Sequence, residues 1–166
     1  MICLKKRRER VGCGPEEQEK YELTVTTAES CTGGQIASRL VNVPGVSDVF
    51  REGFVTYSNK AKRKYLDVSK STLKKYGAVS EQTAKEMAIG GAFASDSDIC
   101  VAVTGIAGPD GGTEEKPAGL VYLSCCYNNR IKTKRHLFAG DRQAVRQASV
   151  CAALTLVKNT IEESIG

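Results

Sequence analysis

The stretch Thr26-Thr27-Ala28-Glu29-Ser30-Cys31-Thr32-Gly33-Gly34 decides the predicted fold. The residues that lead into it, 23–27, form a short β-branched run that is typical of a strand. The apolar residues that follow it, within 36–41, recur with the spacing of one helix face. We therefore expect a strand, a glycine-rich turn and a helix in direct succession.

The predicted turn carries a hydroxyl, a thiol and two glycines, at Ser30, Cys31, Gly33 and Gly34. The first N–H groups of the following helix have no partner within the helix, so they can stabilise a negative charge. A thiol at a helix N-terminus can have a lowered pKa, which makes Cys31 a rival nucleophile to Ser30. Cys31 is otherwise a packed small side chain. The local pattern fits a functional turn and an ordinary glycine-rich connection equally well.

Length and charge favour one domain with a basic lead-in. The 166 residues carry a net charge of +5 and no apolar run of the ~18 residues that span a bilayer. Five basic residues and one acidic residue lie within 1–10. We expect 1–20 to be a loosely ordered, solvated lead-in and 21–166 to be the folded domain. Nucleic-acid or membrane binding by the lead-in is the alternative, but the rest of the chain is nearly balanced in charge.

The seven cysteines do not form a disulfide or zinc pattern. Their number is odd, no C-x-x-C pair occurs, and four of them lie in apolar surroundings. These features predict a reduced, cytoplasmic protein without a structural metal.

Hydrophobic patterns and turn residues predict alternating strands and helices. Strands are expected at about 22–28, 49–57, 99–104, 120–127 and 131–138, and helices at about 33–42, 69–76 and 141–163. Ser58 and Ser80 are predicted to cap two further helices. This order favours a three-layer α/β/α domain with a mixed, mostly parallel sheet that includes a C-terminal hairpin.

Three polar or glycine-rich turns, at 29–34, 57–62 and 105–113, follow predicted strands. Ligands of open α/β sheets bind outside the carboxyl ends of the strands. Ser30, Tyr57, Lys62 and Thr104 could therefore converge at that edge. The charged segment 114–116 is interpreted as a solvated loop.

A serine nucleophile needs a base. The one histidine, His136, lies inside the predicted hairpin and is interpreted as a partly buried strand side chain. A lysine whose pKa is lowered by desolvation or by nearby positive charge can replace histidine. Lys60, Lys62 and Lys64 are candidates, and nothing local selects one of them.

Two arginines lie in the first turns of the last predicted helix, which Asp141 caps. Arg142 and Arg146 place positive charge at the positive end of the helix dipole and face each other at i, i+4. A bound anion, such as a ligand phosphate, would remove both conflicts. A salt bridge to a carboxylate elsewhere would do so equally well.

The turns taken together resemble one family. The motifs are Ala28-Glu29-Ser30-Cys31-Thr32-Gly33-Gly34, Val43-Pro44-Gly45, Tyr57-Ser58-Asn59 with Ala61-Lys62, Tyr76-Gly77-Ala78-Val79-Ser80, Ala102-Val103-Thr104-Gly105-Ile106-Ala107-Gly108-Pro109, Lys116-Pro117 with Gly119, and Gly140-Asp141-Arg142. They resemble, in collinear order over about 21–163, the CinA C-terminal domain family, whose enzymatic members are nicotinamide mononucleotide (NMN) amidohydrolases.

The resemblance implies a three-layer α/β/α fold and hydrolysis of NMN to nicotinate mononucleotide and ammonia, in pyridine-nucleotide salvage and without a metal or cofactor. It makes Ser30 the nucleophile, Lys62 its general base and Tyr57 an assistant to that pair. It also implies a set of ligand contacts. These are Thr32, Gly33, Gly34, Ser47, Thr104, Gly105, Ala107, Gly108 and Arg142. The assignment of Arg142 to the phosphate is an electrostatic inference.

The chain departs from the family pattern at Val46, where a small polar residue is common, and in the lead-in, which lacks a clear amphipathic helix. Members commonly self-associate, so a homo-oligomer is expected. A catalytically silent nucleotide-binding module is the alternative function. A DNA-associated protein that acts through the lead-in is a third hypothesis.

Overall fold

The structure, a computed structural model, describes residues 23–165. The elements are β1 (Val25–Glu29), α1 (Gln35–Val41), β2 (Phe50–Val55), α2 (Asn59–Leu66), α3 (Lys70–Tyr76), α4 (Glu81–Ser95), β3 (Ile99–Gly105), β4 (Leu120–Tyr127), β5 (Arg130–Leu137) and α5 (Arg142–Ile165). The expectations made for the lead-in at 1–20 lie outside the described residues.

The strands form one mixed sheet in the order β2-β1-β3-β4-β5. β1 pairs in parallel with β2 and β3, whereas β4 is antiparallel to both β3 and β5. Only β4 therefore runs against the other four strands, and the predicted mixed, mostly parallel sheet is confirmed. The carboxyl ends of the parallel strands β2, β1 and β3 therefore lie side by side at one end of the sheet, which we call the carboxyl edge.

Helices cover both faces of the sheet, as the three-layer prediction requires. One core cluster joins the sheet to α1 and α5 through residues such as Ile36, Val101 and Val157. The other joins it to α2 and α4 through residues such as Leu66, Met87 and Cys100. Odd and even positions of β1 and β3 thus supply different cores, because neighbouring side chains of a strand point to opposite faces.

Residues in the turns explain where the helices and the hairpin begin and end. Ser58 and Ser80 each accept a hydrogen bond from the backbone N–H three residues on, which confirms both predicted caps. Asn128 and Asn129 adopt φ values of 48° and 58°, as the tight hairpin requires. Helix α1 begins at Gln35, two residues later than predicted, because the preceding glycines at 33–34 adopt positive φ and cannot lie in a right-handed helix.

Close packing of α2 against α4 fixes the height of α2 over the sheet. A Cβ at Gly90 of α4 would lie 1.8 Å from the carbonyl oxygen of Leu66, the last residue of α2. Only glycine permits this approach. The contact holds the inner face of α2, including Lys62, against the carboxyl edge. Within residues 23–165, no helix is both long and apolar enough to cross a membrane.

Candidate active site

Ser30 and Lys62 meet at the carboxyl edge. Ser30 directly follows β1, and Lys62 lies in the first turn of α2. The Nζ of Lys62 donates a hydrogen bond of 2.9 Å to the Oγ of Ser30 and one of 2.7 Å to the carbonyl oxygen of Thr56. Lys62 is 1% exposed, whereas Lys60 and Lys64 are exposed. The structure thus places one of the three candidate lysines, Lys62, against the serine.

Burial sets the charge of Lys62. Loss of solvent around the ammonium lowers the pKa of Lys62 from 10.5 to about 8. About a tenth of the molecules therefore carry a neutral amine at pH 7. A neutral amine bonded to a serine hydroxyl is the arrangement that a general base requires.

The thiol of Cys31 has the opposite character. Burial raises its pKa from 9.0 to about 11, so it stays protonated at neutral pH. Its side chain, 6% exposed, belongs to the core between the sheet, α1 and α5. Of the two interpretations of Cys31, the packed small side chain fits the structure and the reactive thiolate does not.

A buried carboxylate builds the turn of residues 30–34, which we call the Ser30 turn. Glu29 is 0% exposed, and its carboxylate accepts hydrogen bonds from the Thr32 hydroxyl and from the N–H groups of Gly34, Ile36 and Ala37. The N-cap residue of α1, Gly34, has no side chain to accept from the first N–H groups of the helix. Glu29, at the end of β1, accepts from them instead. In the sequence, the only signal of this role is an acidic residue ahead of a glycine-rich helix start, and it did not predict the capping.

Arg142 spans the mouth of the site. Its guanidinium donates to the carbonyl oxygen of Gly108 at 2.9 Å and to the hydroxyl oxygen of Tyr57 at 3.1 Å. Tyr57 is 62% exposed, so its ring lies at the surface beside the Ser30–Lys62 pair rather than within it. A cavity of about 400 Å³ adjoins Arg142, and Ala107, Gly108, Gly140 and Gln143 are among its lining residues.

Arg146 contacts the Ser30 turn directly. Its Nε donates to the carbonyl oxygen of Cys31 at 3.1 Å and a terminal nitrogen donates to that of Thr32 at 2.8 Å. The partners expected for Arg142 and Arg146 were an anion or a carboxylate. The partners found are mostly backbone carbonyl oxygens.

Thr104 and Lys116 hold the connection between α3 and α4. The Thr104 hydroxyl, 1% exposed, donates to the carbonyl oxygen of Ala78, and the Lys116 ammonium donates to those of Tyr76 and Val79. Lys116 is thus not part of a fully solvated loop, as the charged segment 114–116 was interpreted. The acceptors of its ammonium are backbone carbonyl oxygens 40 and 37 residues earlier in the chain, which the local sequence does not indicate.

Ser47 is the predicted ligand contact that the structure does not bring to the site. It lies in a short 3₁₀ turn, Val46–Asp48, that precedes β2, whereas Ser30 follows β1. Because β1 and β2 are parallel, the two serines lie at opposite edges of the sheet, roughly 15 Å apart at ~3.3 Å per residue. One copy of the chain therefore does not support the Ser47 contact.

The other predicted contacts lie at the carboxyl edge, but the side chains of Thr32 and Thr104 are buried, at 0% and 1% exposure, and bond to protein oxygens. Gly33 and Gly34 belong to the Ser30 turn, Gly105 is the last residue of β3, and Ala107 and Gly108 follow it at the same edge. The Thr32 hydroxyl is held by Glu29. His136 is a half-buried side chain of β5, stacked on Phe138. In the described part of the chain, no group of three His, Cys, Asp or Glu side chains is arranged to hold a metal ion.

Fold and site define the class: an α/β protein with a buried serine–lysine pair at the carboxyl edge of a mixed sheet. The profile of the CinA C-terminal domain matches residues 15–161. The chain therefore belongs to the CinA C-terminal domain family. The match begins inside the predicted lead-in, so the boundary at residue 20 stays a prediction.

Individual relatives and solved structures support the same family assignment. A putative competence-damage inducible protein of Clostridium novyi is 58% identical over 139 residues, which is 84% of this chain and 34% of that protein. A competence/damage inducible protein from Agrobacterium tumefaciens has a TM-score of 0.80 at 47% identity, over 81% of this chain and 83% of that one. The Klebsiella pneumoniae competence damage-inducible protein A reaches 0.82 at 38%, over 84% and 87%. This chain spans about a third of the Clostridium relative.

Proposed function

We propose that the protein hydrolyses the carboxamide of NMN to nicotinate mononucleotide and ammonia. The observation that carries the proposal is the 2.9 Å hydrogen bond between Ser30 and Lys62 in a buried setting. A module that only binds a nucleotide has no need of a lysine with a pKa lowered to about 8 against a serine hydroxyl. The family resemblance supplies the substrate.

In the first step, neutral Lys62 accepts the proton of the Ser30 hydroxyl while Oγ forms a bond to the carboxamide carbon. The carbonyl oxygen of Thr56 accepts from the lysine and so fixes the direction of its lone pair. The electron pair of the C=O bond moves to its oxygen. N–H groups of the Ser30 turn, ahead of the first turn of α1, are proposed to stabilise the negative charge on that oxygen.

In the second step, the C–N bond breaks and ammonia leaves with the proton that Lys62 returns. The intermediate is an ester between the Oγ of Ser30 and the former carboxamide carbon of the substrate. Water then attacks this ester while Lys62 accepts its proton, which releases nicotinate mononucleotide and restores the Ser30 hydroxyl. Tyr57 is proposed to assist the pair through its hydroxyl, whose oxygen accepts from Arg142 and which keeps a proton of its own to donate.

The phosphate is assigned to Arg142, whose exposed guanidinium adjoins the cavity of about 400 Å³. The proposal also has backbone groups of Gly33, Gly34, Gly105, Ala107 and Gly108 contact the substrate, as the family resemblance implies. No step is assigned to a metal or cofactor. The proposal places the reaction in cytoplasmic pyridine-nucleotide salvage and includes a homo-oligomer.

The test is ammonia release from NMN, with EDTA present, by wild type, Ser30→Ala, Lys62→Met and the matched control Lys60→Met. We expect release by wild type and Lys60→Met, and none by the other two. Ser30→Ala should still bind NMN in calorimetry. If wild type binds NMN and releases no ammonia, the amidase proposal fails and the binding module replaces it. Full turnover by Ser30→Ala would reject the serine mechanism.

A further inference from the structure

We propose that Arg146 is a positioning residue of this site, through which helix α5 holds the Ser30 turn in register with Lys62. The proposal rests on the amidase function above, and it concerns a side chain that touches neither reacting group. The contacts described for Arg146 run from α5 to two carbonyl oxygens of the turn.

The first two turns of α5 join the loops that follow three neighbouring strands. Arg142 and Arg146 are four residues apart, so they project from one face of the helix. Arg142 reaches Tyr57 after β2 and Gly108 after β3, whereas Arg146 reaches the Ser30 turn after β1. One rigid helix thus connects the ends of β2, β1 and β3.

The Ser30 turn is held from two sides. From below, the Glu29 carboxylate accepts from the Thr32 hydroxyl and from three backbone N–H groups. From above, Arg146 donates to the carbonyl oxygens of Cys31 and Thr32. A Cβ at Gly33 would lie 3.6 Å from a terminal nitrogen of Arg146, so the guanidinium lies directly on the turn. Charge-assisted bonds on both sides leave the turn little freedom.

Arginine suits this position because its planar guanidinium presents several donors in a fixed geometry. The carbonyls of two consecutive residues are contacted at once, one by Nε and one by a terminal nitrogen of the same planar group. Loss of Arg146 leaves both oxygens without this partner and releases the turn. A displacement of about 1 Å at a reacting atom can lower a rate by about 100-fold.

A displaced turn also changes Lys62. The serine side of the turn helps to exclude water from the lysine, which is 1% exposed. Water that enters beside the ammonium favours its charged form. Removal of Arg146 therefore affects the base as well as the nucleophile, whereas removal of Arg142 affects the mouth of the site.

The experiment compares Arg146→Gln with Arg142→Gln and with Arg130→Gln, an exposed arginine at the hairpin on the opposite edge of the sheet. Two quantities are measured in the full chain: kcat and KM for NMN, and the midpoint of the pH dependence of Lys62 acetylation by acetic anhydride, read by mass spectrometry. The second needs no substrate. Arg146→Lys serves as a conservative variant if Arg146→Gln does not fold.

We expect Arg146→Gln to lower kcat about 100-fold with KM changed by less than about threefold, and to move the Lys62 midpoint to higher pH. Arg142→Gln should raise KM about tenfold and keep the wild-type midpoint. Arg130→Gln should match wild type throughout. Wild-type kcat together with a wild-type midpoint in Arg146→Gln, or in a folded Arg146→Lys, overturns the proposal. If wild type releases no ammonia, the amidase function fails, and the midpoint alone decides the role of Arg146.

Discussion

The Nζ of Lys62 lies 2.9 Å from the Oγ of Ser30, a residue 32 positions earlier in the chain. Two separate features create this contact. The Glu29 carboxylate fixes the turn that carries the serine, and the Ser58 cap starts the helix that carries the lysine. Helix α2 packs against α4 without space for a side chain at Gly90. This close packing holds the inner face of α2 against the sheet, where the Lys62 side chain is shielded from solvent.

The pH dependence of catalysis should follow Lys62. Its pKa is lowered to about 8 by burial, and the neutral form is the base. We expect kcat/KM for NMN to rise from about pH 6, to reach half of its maximum near about pH 8 and to level off above about pH 9, since this parameter reports the free enzyme. A series of initial rates in wild type and Lys60→Met should give one midpoint. A rate that is flat across this range argues against a lysine base.

Stability should also depend on Lys62. Between about 8 and 10.5, the folded and ordinary pKa values, the unfolded chain binds more protons than the folded chain, so folding becomes more favourable as pH rises. We expect the free energy of unfolding of wild type, relative to Lys62→Met, to increase by about 2 kcal/mol between about pH 8 and about pH 10. Urea titrations over this range measure the difference. A constant or falling difference contradicts the lowered pKa.

Glu29→Gln should destabilise the protein by about 3 kcal/mol. The two carboxylate oxygens accept four hydrogen bonds, and a glutamine would turn one acceptor into a donor that faces other donors. Glu52→Gln, at an exposed position of β2, is the matched control and should stay within about 0.5 kcal/mol of wild type. Thermal or urea unfolding measures both. Equal stability of the two variants would show that the Ser30 turn does not depend on the charge of Glu29.

Thr27→Val should stabilise the protein by about 1 kcal/mol. The Thr27 hydroxyl is buried and finds no hydrogen-bond partner among residues 23–165, so a methyl group of the same shape removes an unsatisfied polar atom. Thr24→Val is the control from the same segment, because the Thr24 hydroxyl donates to the Asp98 carboxylate at 2.7 Å and accepts from the Asp98 N–H. It should destabilise. The proposed burial cost at Thr27 is wrong if both valine variants lose stability in denaturant titrations.

Local patterns were sufficient for the elements of the fold. The apolar run at 99–104 became the central strand β3, and the asparagines at 128–129 formed the hairpin turn. Serines before two helices became their caps. These features depend on neighbours within a few residues, so the side-chain pattern contains the information. The family motifs added the assignment of Lys62 over Lys60 and Lys64, which the residues alone left open.

Tertiary structure decided the contacts that assemble the site. Arg146 bonds to carbonyl oxygens 114 and 115 positions earlier, and Lys116 to carbonyls 37 and 40 positions earlier. Every residue carries a backbone carbonyl, so no side-chain pattern marks these acceptors. For the same reason, the sequence does not mark the backbone N–H groups that donate to Glu29. Ser47 and Ser30 lie at opposite ends of the sheet because β1 and β2 are parallel, which the sequence pattern does not show. The sequence by itself determined the helices and strands and the candidate residues for the proposed reaction, and the packing of helices on the sheet determined which atoms meet.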